Sequence, residues 1–595
     1  MEVALGRAPA DLVIRGGRLV NVYTGEIEEG LDVAVAGERI ALVGDGSGCI
    51  GLKTKVVDAR GAYLVPGFID SHYHIESSRM APWRHAEVTL PHGITVLVED
   101  PHEACAPGGL DAIRYILENT EDLKQKVYVQ VSSATPPSNV ETTGGYIGGE
   151  ELRKALTWPR VIGLGEMMDA PRIYSGDTRQ WGLLEAAYRC WQSIEGHGGY
   201  SGKHLSAYAS AGVRSTHNTA SPEWGLEMLR RGFDIQLQVG REVETIKMLL
   251  NSQIDWTRVG LAVDDRPVQN LLEKGGLDNE VREAIRLGVP EICAYQMATL
   301  NNARHWGFER DHGSINPGRY ADILFITDLR DVTISRVYAN GVEVARDGAL
   351  TLPIPHRPAP LYAVDSIHLK RPVTAEDFAV RVPRGRAQAG TVEAVVIPPY
   401  TWTGDVQEIR MRLPVRDGLV QPDFSRGIHK AAVVERHRAT GNIGLGFWQW
   451  GLRRGAIATS VMHDSHNIAV IGANDPDMAL AVNRVAEIGG GIVVAGEGKI
   501  LAELALPVWG LMSDAPPREV AEEYSKVESA ARTLFRDGLN LLPADKMRPS
   551  MMQGLREEPA DQLTFAFLTC YPRRYMLTDR GVFDMWTETP VPLIR

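Results

Sequence analysis

From Val65 to about residue 265 the chain alternates eight times between a short apolar run and a helical pattern. The runs occupy 65–70 (VPGFID), 93–100 (GITVLVED), 127–134, 161–168, 193–199, 212–219, 233–240 and 258–265, with stretches such as GGLDAIRYILENT and SPEWGLEMLRRG between them. A strand reaches a parallel neighbour only through a crossover long enough to hold a helix, so this alternation means a parallel sheet. Eight repeats predict an α/β fold built on a closed (β/α)8 TIM-like barrel, whose active site lies at the C-terminal strand ends.

Those ends carry metal-competent residues. Val65 to Ser78 reads V-P-G-F-I-D-S-H-Y-H-I-E-S-S, which places His72 and His74 just past a strand over Val65–Asp70. Residues i and i+2 of an extended chain point the same way, so two imidazoles face one point. Glu166 ends the fourth run, His197 the fifth, His217 the sixth, and Asp264 with Asp265 the eighth. Singly, each has an ordinary explanation: a solvated strand end, a loop histidine, a turn with a surface ion pair. Together they ring one barrel mouth. Four histidines and two carboxylates exceed what one tetrahedral ion uses and suit two divalent ions, with Glu166 the candidate shared carboxylate. Nitrogen and oxygen ligation admits zinc, manganese or iron.

Coordination brings the pKa of water from ~15.7 towards ~7, which supplies hydroxide at neutral pH. Asp264 is placed to take its proton and pass it to a leaving nitrogen, so hydrolysis of a C–N bond is expected. Glu76 could hold a substrate nitrogen or orient a ligand histidine. Asp100 and His102 close the second run at the same mouth and could relay protons, a capped turn being the alternative. His463 and His466, three apart in H-D-S-H-N, read as structural or as a domain contact reaching the barrel mouth rather than as a second metal site.

At 595 residues the chain needs several cores. Alternating apolar and polar residues over 11–65 and again after 311 predict short antiparallel strands that join as one small β-sandwich (1–64 and 311–360) flanking the barrel (65–310). G-D-G-S-G at Gly44–Gly48 has no helix after it and reads as a hairpin turn rather than a phosphate loop. After the Pro-rich stretch 351–362, residues 365–595 form a C-terminal α/β or α+β domain. Its clearest helix starts at Asp475, as the cap, and stops at Gly489–Gly491.

A net charge of −12 without a long Lys/Arg run gives no electrostatic case for nucleic acid or a membrane surface. Five scattered cysteines, among them Cys570, form no C-x-x-C, and a cytoplasmic setting is expected. His102-Glu103 begins H-E-x-x-H, but Ala106 ends that reading.

P-G-F-I-D-S-H-Y-H, the ordered His197, His217 and Asp264, and the exit strand I-N-P-G-R-Y-A-D-I-L resemble the amidohydrolase superfamily. H-I-E-S-S, L-P-H-G-I-T, E-D-P-H-E, G-L-G-E-M-M, V-D-D-R, H-D-S-H-N and N-D-P-D-M-A-L-A-V-N-R resemble the adenine deaminases within it, and the likeness spans nearly the whole chain. That resemblance implies hydrolysis of adenine to hypoxanthine and ammonia by attack of a metal-bound hydroxide on purine C6. It implies ligands at His72, His74, Glu166, His197, His217 and Asp264, and two ions of manganese or iron. The expected partner is a small-molecule purine, and a homodimer is the prior for an enzyme of this size. Thr216 and Asn218 stand where a D-H-E motif is usual, and Pro267 where a histidine is. Another amidohydrolase acting on a related purine or a cyclic amide is the alternative. A non-catalytic scaffold would have lost ligands, and none is missing.

Overall fold

The computed structural model describes residues 1–382, 390–397, 410–535, 558–564 and 574–595. Cys570 lies outside them; the other four cysteines are free thiols. Eight strands make the centre: β1 (Phe68–Tyr73), β2 (Ile94–Glu99), β3 (Lys126–Val131), β4 (Val161–Met167), β5 (Ser193–Gly196), β6 (Ser215–Thr216), β7 (Asp234–Leu237) and β8 (Val259–Leu261). All their ladders are parallel, and helices cross between them. β1 to β5 form one sheet and β6 to β8 another.

Two seams close these sheets into the barrel. At one, Ser215 Oγ accepts a hydrogen bond from the Gly196 amide at 3.3 Å. At the other, the Asp264 amide donates to the His72 carbonyl at 3.1 Å, and Asp70 Oδ1 accepts from the Val263 amide at 3.1 Å. The second seam therefore brings the chain after β8 directly beside the H-x-H segment.

The strand expected over Val65–Asp70 is two strands. Tyr63–Pro66 pairs antiparallel with Ile323–Ile326, and β1 starts at Phe68 and runs through His72, so only His74 lies past its end. Gly67 divides them because a Cβ there would sit 2.2 Å from Thr95 Oγ1. Strands from both flanks of the barrel share this seven-stranded sheet, which faces a four-stranded sheet across Leu12, Ile14, Val33, Leu64, Ile323 and Phe325. The pairing is not wholly antiparallel: Leu12–Arg15 runs parallel to Lys55–Asp58, and Arg18–Asn21 to Tyr63–Pro66. The cause is the segment after Gly44, which crosses to the far edge of the four-stranded sheet instead of turning back. Gly44–Gly48 is thus no hairpin, and its last two residues open a 3-10 turn, Ser47–Cys49.

Among the described residues the C-terminal domain is built on a nine-stranded, mostly antiparallel sheet. Side chains of a strand alternate between faces, and here the alternation sorts two cores. Ala432, Val434, Ala458, Val470 and Val493 pack under the helix Asp475–Glu487. Ala431, Val433, Ile457, Ile471 and Val494 join the apolar core that continues into the barrel. Each fully buried Val or Ile contributes about 1.5–3 kcal/mol, so the two domains are fused rather than tethered. The helix cap is Asn474, one residue earlier than Asp475, because its side chain accepts the Asp477 amide at 2.8 Å.

This domain also grips the H-x-H loop. Ala81 donates its amide to the Ser513 carbonyl at 2.9 Å, and Ser513 donates its own to the Arg79 carbonyl at 3.0 Å. The buried Arg79 guanidinium pairs with Asp561 and lies over the Tyr524 ring at 4.3 Å.

Away from the ligand ends, His305 bridges Glu195 on β5 and Asp234 on β7, each at 2.9 Å. Burial opposes its charge, but the two carboxylates push its pKa up to about 10. A raised folded value means the stabilisation is complete below about 6.5 and is lost as pH rises through about 10. His305→Ala should cost about 3 kcal/mol near neutral pH, because it takes the imidazolium away from the buried Glu195 carboxylate. Urea unfolding should show the gap to the wild type narrowing as pH passes about 10; a gap that stays constant would contradict the clamp.

Candidate metal centre

The six expected ligands gather at one point from five strand ends. His72 Nε2 and His74 Nε2 lie 3.1 Å apart, and both rings are buried. His74 Nδ1 meets the Asp100 carbonyl oxygen at 2.7 Å, so Nδ1 carries the proton and Nε2 turns its lone pair inward. Glu166 stands opposite. Its Oε1 is 3.5 Å from His74 Nε2, and its Oε2 contacts His197 Nδ1 and lies 3.2 Å from His217 Nε2. The His217 ring stacks on His72 with centroids 3.8 Å apart. Asp264 Oδ1 completes the ring at 3.2 Å from His74 Nε2 and 3.8 Å from His72 Nε2.

Three overlapping triads keep their ligand atoms within 4.8 Å of one another: His72, His74 and Glu166; His72, His217 and Asp264; Glu166, His197 and His217. His72, Glu166 and His217 each belong to two of them. The electrostatics match a cation. Burial would raise Glu166, yet His197 and His217 hold its carboxyl well below the usual range. Burial would raise Asp264 too, and His74, His217 and Arg241 hold it down. Burial and the adjoining imidazoles push His72 well below its usual value. Burial opposes charge on His74 too, but Asp264, Asp265 and Glu166 push it up, so its Nε2 faces a demand for positive charge that a bound ion would meet in place of a proton. Two buried anions thus draw positive charge to one point, and a divalent ion answers that demand with imidazole nitrogens already aimed at it.

The amidohydrolase family model matches residues 63–344, and the adenine deaminase C-terminal domain matches residues 406–541. An adenine deaminase from Clostridium botulinum is 38% identical over 98% of this chain and 95% of its own length. One from Moorella thermoacetica is 40% identical over 90% of each. The chain belongs to the adenine deaminase family. Among solved structures, a beta-aspartyl dipeptidase from Fervidobacterium islandicum aligns with 57% of the chain and 98% of its own at 18% identity and a TM-score of 0.43.

In this adenine deaminase family member the secondary candidates divide. His102 joins the ring: its Nδ1 is 3.3 Å from Glu166 Oε1, and its ring meets that of His74 edge-on. Asp100 supports from behind. Its Oδ2 accepts the Glu166 amide at 2.7 Å, and burial beside the Glu166 carboxylate pushes its pKa up to about 7. Glu76 stays outside the ring, accepting the Ala104 amide at 2.9 Å in the first turn of the helix His102–Gly108.

Two supports escaped the sequence reading. Gln238 Nε2 donates to Asp264 Oδ2 at 2.6 Å and to the His217 carbonyl at 3.1 Å, and Arg241 donates to the same Asp264 oxygen at 3.1 Å. The signal was a polar residue closing the seventh apolar run, where no ligand candidate stood. The departures from the family pattern have local uses. Thr216 Oγ1 donates to the Gly198 carbonyl and accepts the Asn218 amide, both at 3.1 Å, which shapes the turn carrying His217. Asn218 Oδ1 accepts the Ala220 amide, and Pro267 precedes the helix Val268–Lys274.

Gly165 must lack a side chain, because a Cβ would lie 2.3 Å from Asp100 Oδ2. Gly165→Ala should displace the Asp100 carboxylate from the Glu166 amide and weaken metal affinity about 10–100-fold, the range for supporting residues of metal ligands. Competition against a chelator measures it; wild-type affinity would show that Asp100 does not set Glu166.

Proposed function

We propose that this protein hydrolyses adenine to hypoxanthine and ammonia, using two divalent ions, manganese or iron, held by His72, His74, Glu166, His197, His217 and Asp264. The observation that carries the proposal is the convergence of these six side chains at one barrel mouth. Relatives named adenine deaminase over nearly the full length, and the C-terminal domain of that family, support the substrate.

A divalent ion in such a ring acts as a Lewis acid and makes water a nucleophile near neutral pH. Everything else falls to the chain. Gln238 and Arg241 occupy Asp264 Oδ2, which leaves Oδ1 facing the centre as the base. It takes the proton of the attacking water and delivers it to N6. A C–O bond forms at purine C6, the C6–N6 bond breaks, and ammonia leaves, with one water consumed. Asp100 fixes Glu166 through its amide and His74 through the Asp100 carbonyl, so the ligands need no reorganisation during the reaction.

Ammonia release measured over adenine, other 6-substituted purines, dihydropyrimidines and hydantoins tests the substrate; turnover of a cyclic amide without adenine would replace this reading with the alternative. His74→Ala should remove metal from the centre and abolish ammonia release, and full turnover in it would contradict the ligand assignment. Asp264→Asn should keep adenine binding while kcat falls about 100-fold or more. An unchanged kcat would remove Asp264 from proton transfer.

A further inference from the structure

The loop 461–467 of the C-terminal domain reaches over the barrel to the helix His102–Gly108. There His463 Nε2 lies 3.8 Å from Glu103 Oε1, and the rings of His463 and His466 are 5.1 Å apart between centroids. The ligand atoms of Glu103, His463 and His466 all fall within 4.8 Å of one another. These residues are sealed from solvent: Glu103 and His466 are 0% exposed and His463 is 4%. Neither ring nitrogen of His466, nor Oε2 of Glu103, hydrogen-bonds to any described residue. Buried polar atoms are almost always satisfied, so a buried imidazole with both nitrogens open, next to an open carboxylate oxygen, points to a ligand.

The surroundings hold these donors still. The buried Arg436 guanidinium donates to the His466 carbonyl and ties it to the Trp509 carbonyl at 3.0 Å. His463 donates its amide to the Thr564 carbonyl at 2.9 Å. Ser77 Oγ donates to Glu103 Oε1 at 2.6 Å, and Oε2 has no hydrogen-bond partner among the described residues. Metal ligands are oriented by such partners. Two imidazoles and one carboxylate favour a divalent transition ion over magnesium or calcium.

We propose that Glu103, His463 and His466 bind an additional divalent transition-metal ion, which pins the C-terminal domain to the barrel beside the catalytic centre. The site shares no residue with the six. His102 lies between the two, 3.3 Å from Glu166 on one side and with its ring 6.2 Å from that of His463 on the other.

Metal content per chain, measured by mass spectrometry of protein purified with manganese or zinc, decides the matter. Glu103→Gln and His466→Asn should each carry one equivalent less than the wild type. A variant with His72→Asn, His74→Asn and His217→Asn should lose the catalytic ions yet keep one equivalent. Wild-type content in a folded Glu103→Gln protein, or no retained metal in the triple variant, would overturn the proposal and leave a bridging water as the occupant. Folding is checked by circular dichroism. Should His466→Asn not fold, Glu103→Gln and the triple variant still decide. The measurement is separate from adenine turnover: a failed deaminase assay leaves the additional site standing, and a missing equivalent leaves the catalytic reading standing.

Discussion

The centre depends on Glu166. Its carboxylate is buried, remains anionic, and faces His74, His102, His197 and His217 from one spot on β4. An uncompensated charge there would cost several kcal/mol, so the fold is committed to supplying positive charge beside it. Asp264 repeats the demand from the other side, and the β8-to-β1 seam is what carries it there. Barrel closure and assembly of the ring are therefore the same event: without the seam, Asp264 and His72 would not share a centre.

Much of this was legible because periodicity survives without tertiary information. Each of the eight barrel strands overlaps a run read from the sequence, though β1 is displaced to Phe68–Tyr73 and β6 and β8 shrink to two and three residues. The ligands stood out because His, Glu and Asp at the ends of apolar runs are conspicuous. Supporting residues were harder to see. Gln238, Arg241 and Gly165 carry no signature of their own, and their roles come from which side chain they meet across the barrel. The failures in the small domain share one cause. Alternation shows that a segment is a strand but not which neighbour it takes, so the parallel pairs of Leu12–Arg15 and Arg18–Asn21 were invisible. Likewise Gly67, a single residue, decides where one sheet ends and the next begins.

The C-terminal domain adds more than bulk. One face of its sheet continues the barrel core, its Ser513 pairs with the backbone just past the H-x-H motif, and Asp561 neutralises the buried Arg79. Its loop brings His463, Asp464 and His466 to the rim of the metal centre. The barrel alone would expose the apolar surface that this sheet covers and would lose the backbone partners that fix the loop after His74.

The passage through Gly67 has a mechanical meaning. The sandwich strand Tyr63–Pro66 and β1 follow each other with one residue between them, and β1 runs on through His72, its register against β2 shifting between Phe68 and Ile69 and between Asp70 and Tyr73. The stretch is an extended rod of about 3.3 Å per residue, anchored in one sheet at its near end and in the ligand ring at its far end. A tilt of the sandwich would thus be carried along this stretch towards His72. An opening of the mouth that leaves the ring intact is therefore hinged elsewhere on the rim, since movement along this stretch would shift the His72 imidazole away from His74 and Glu166.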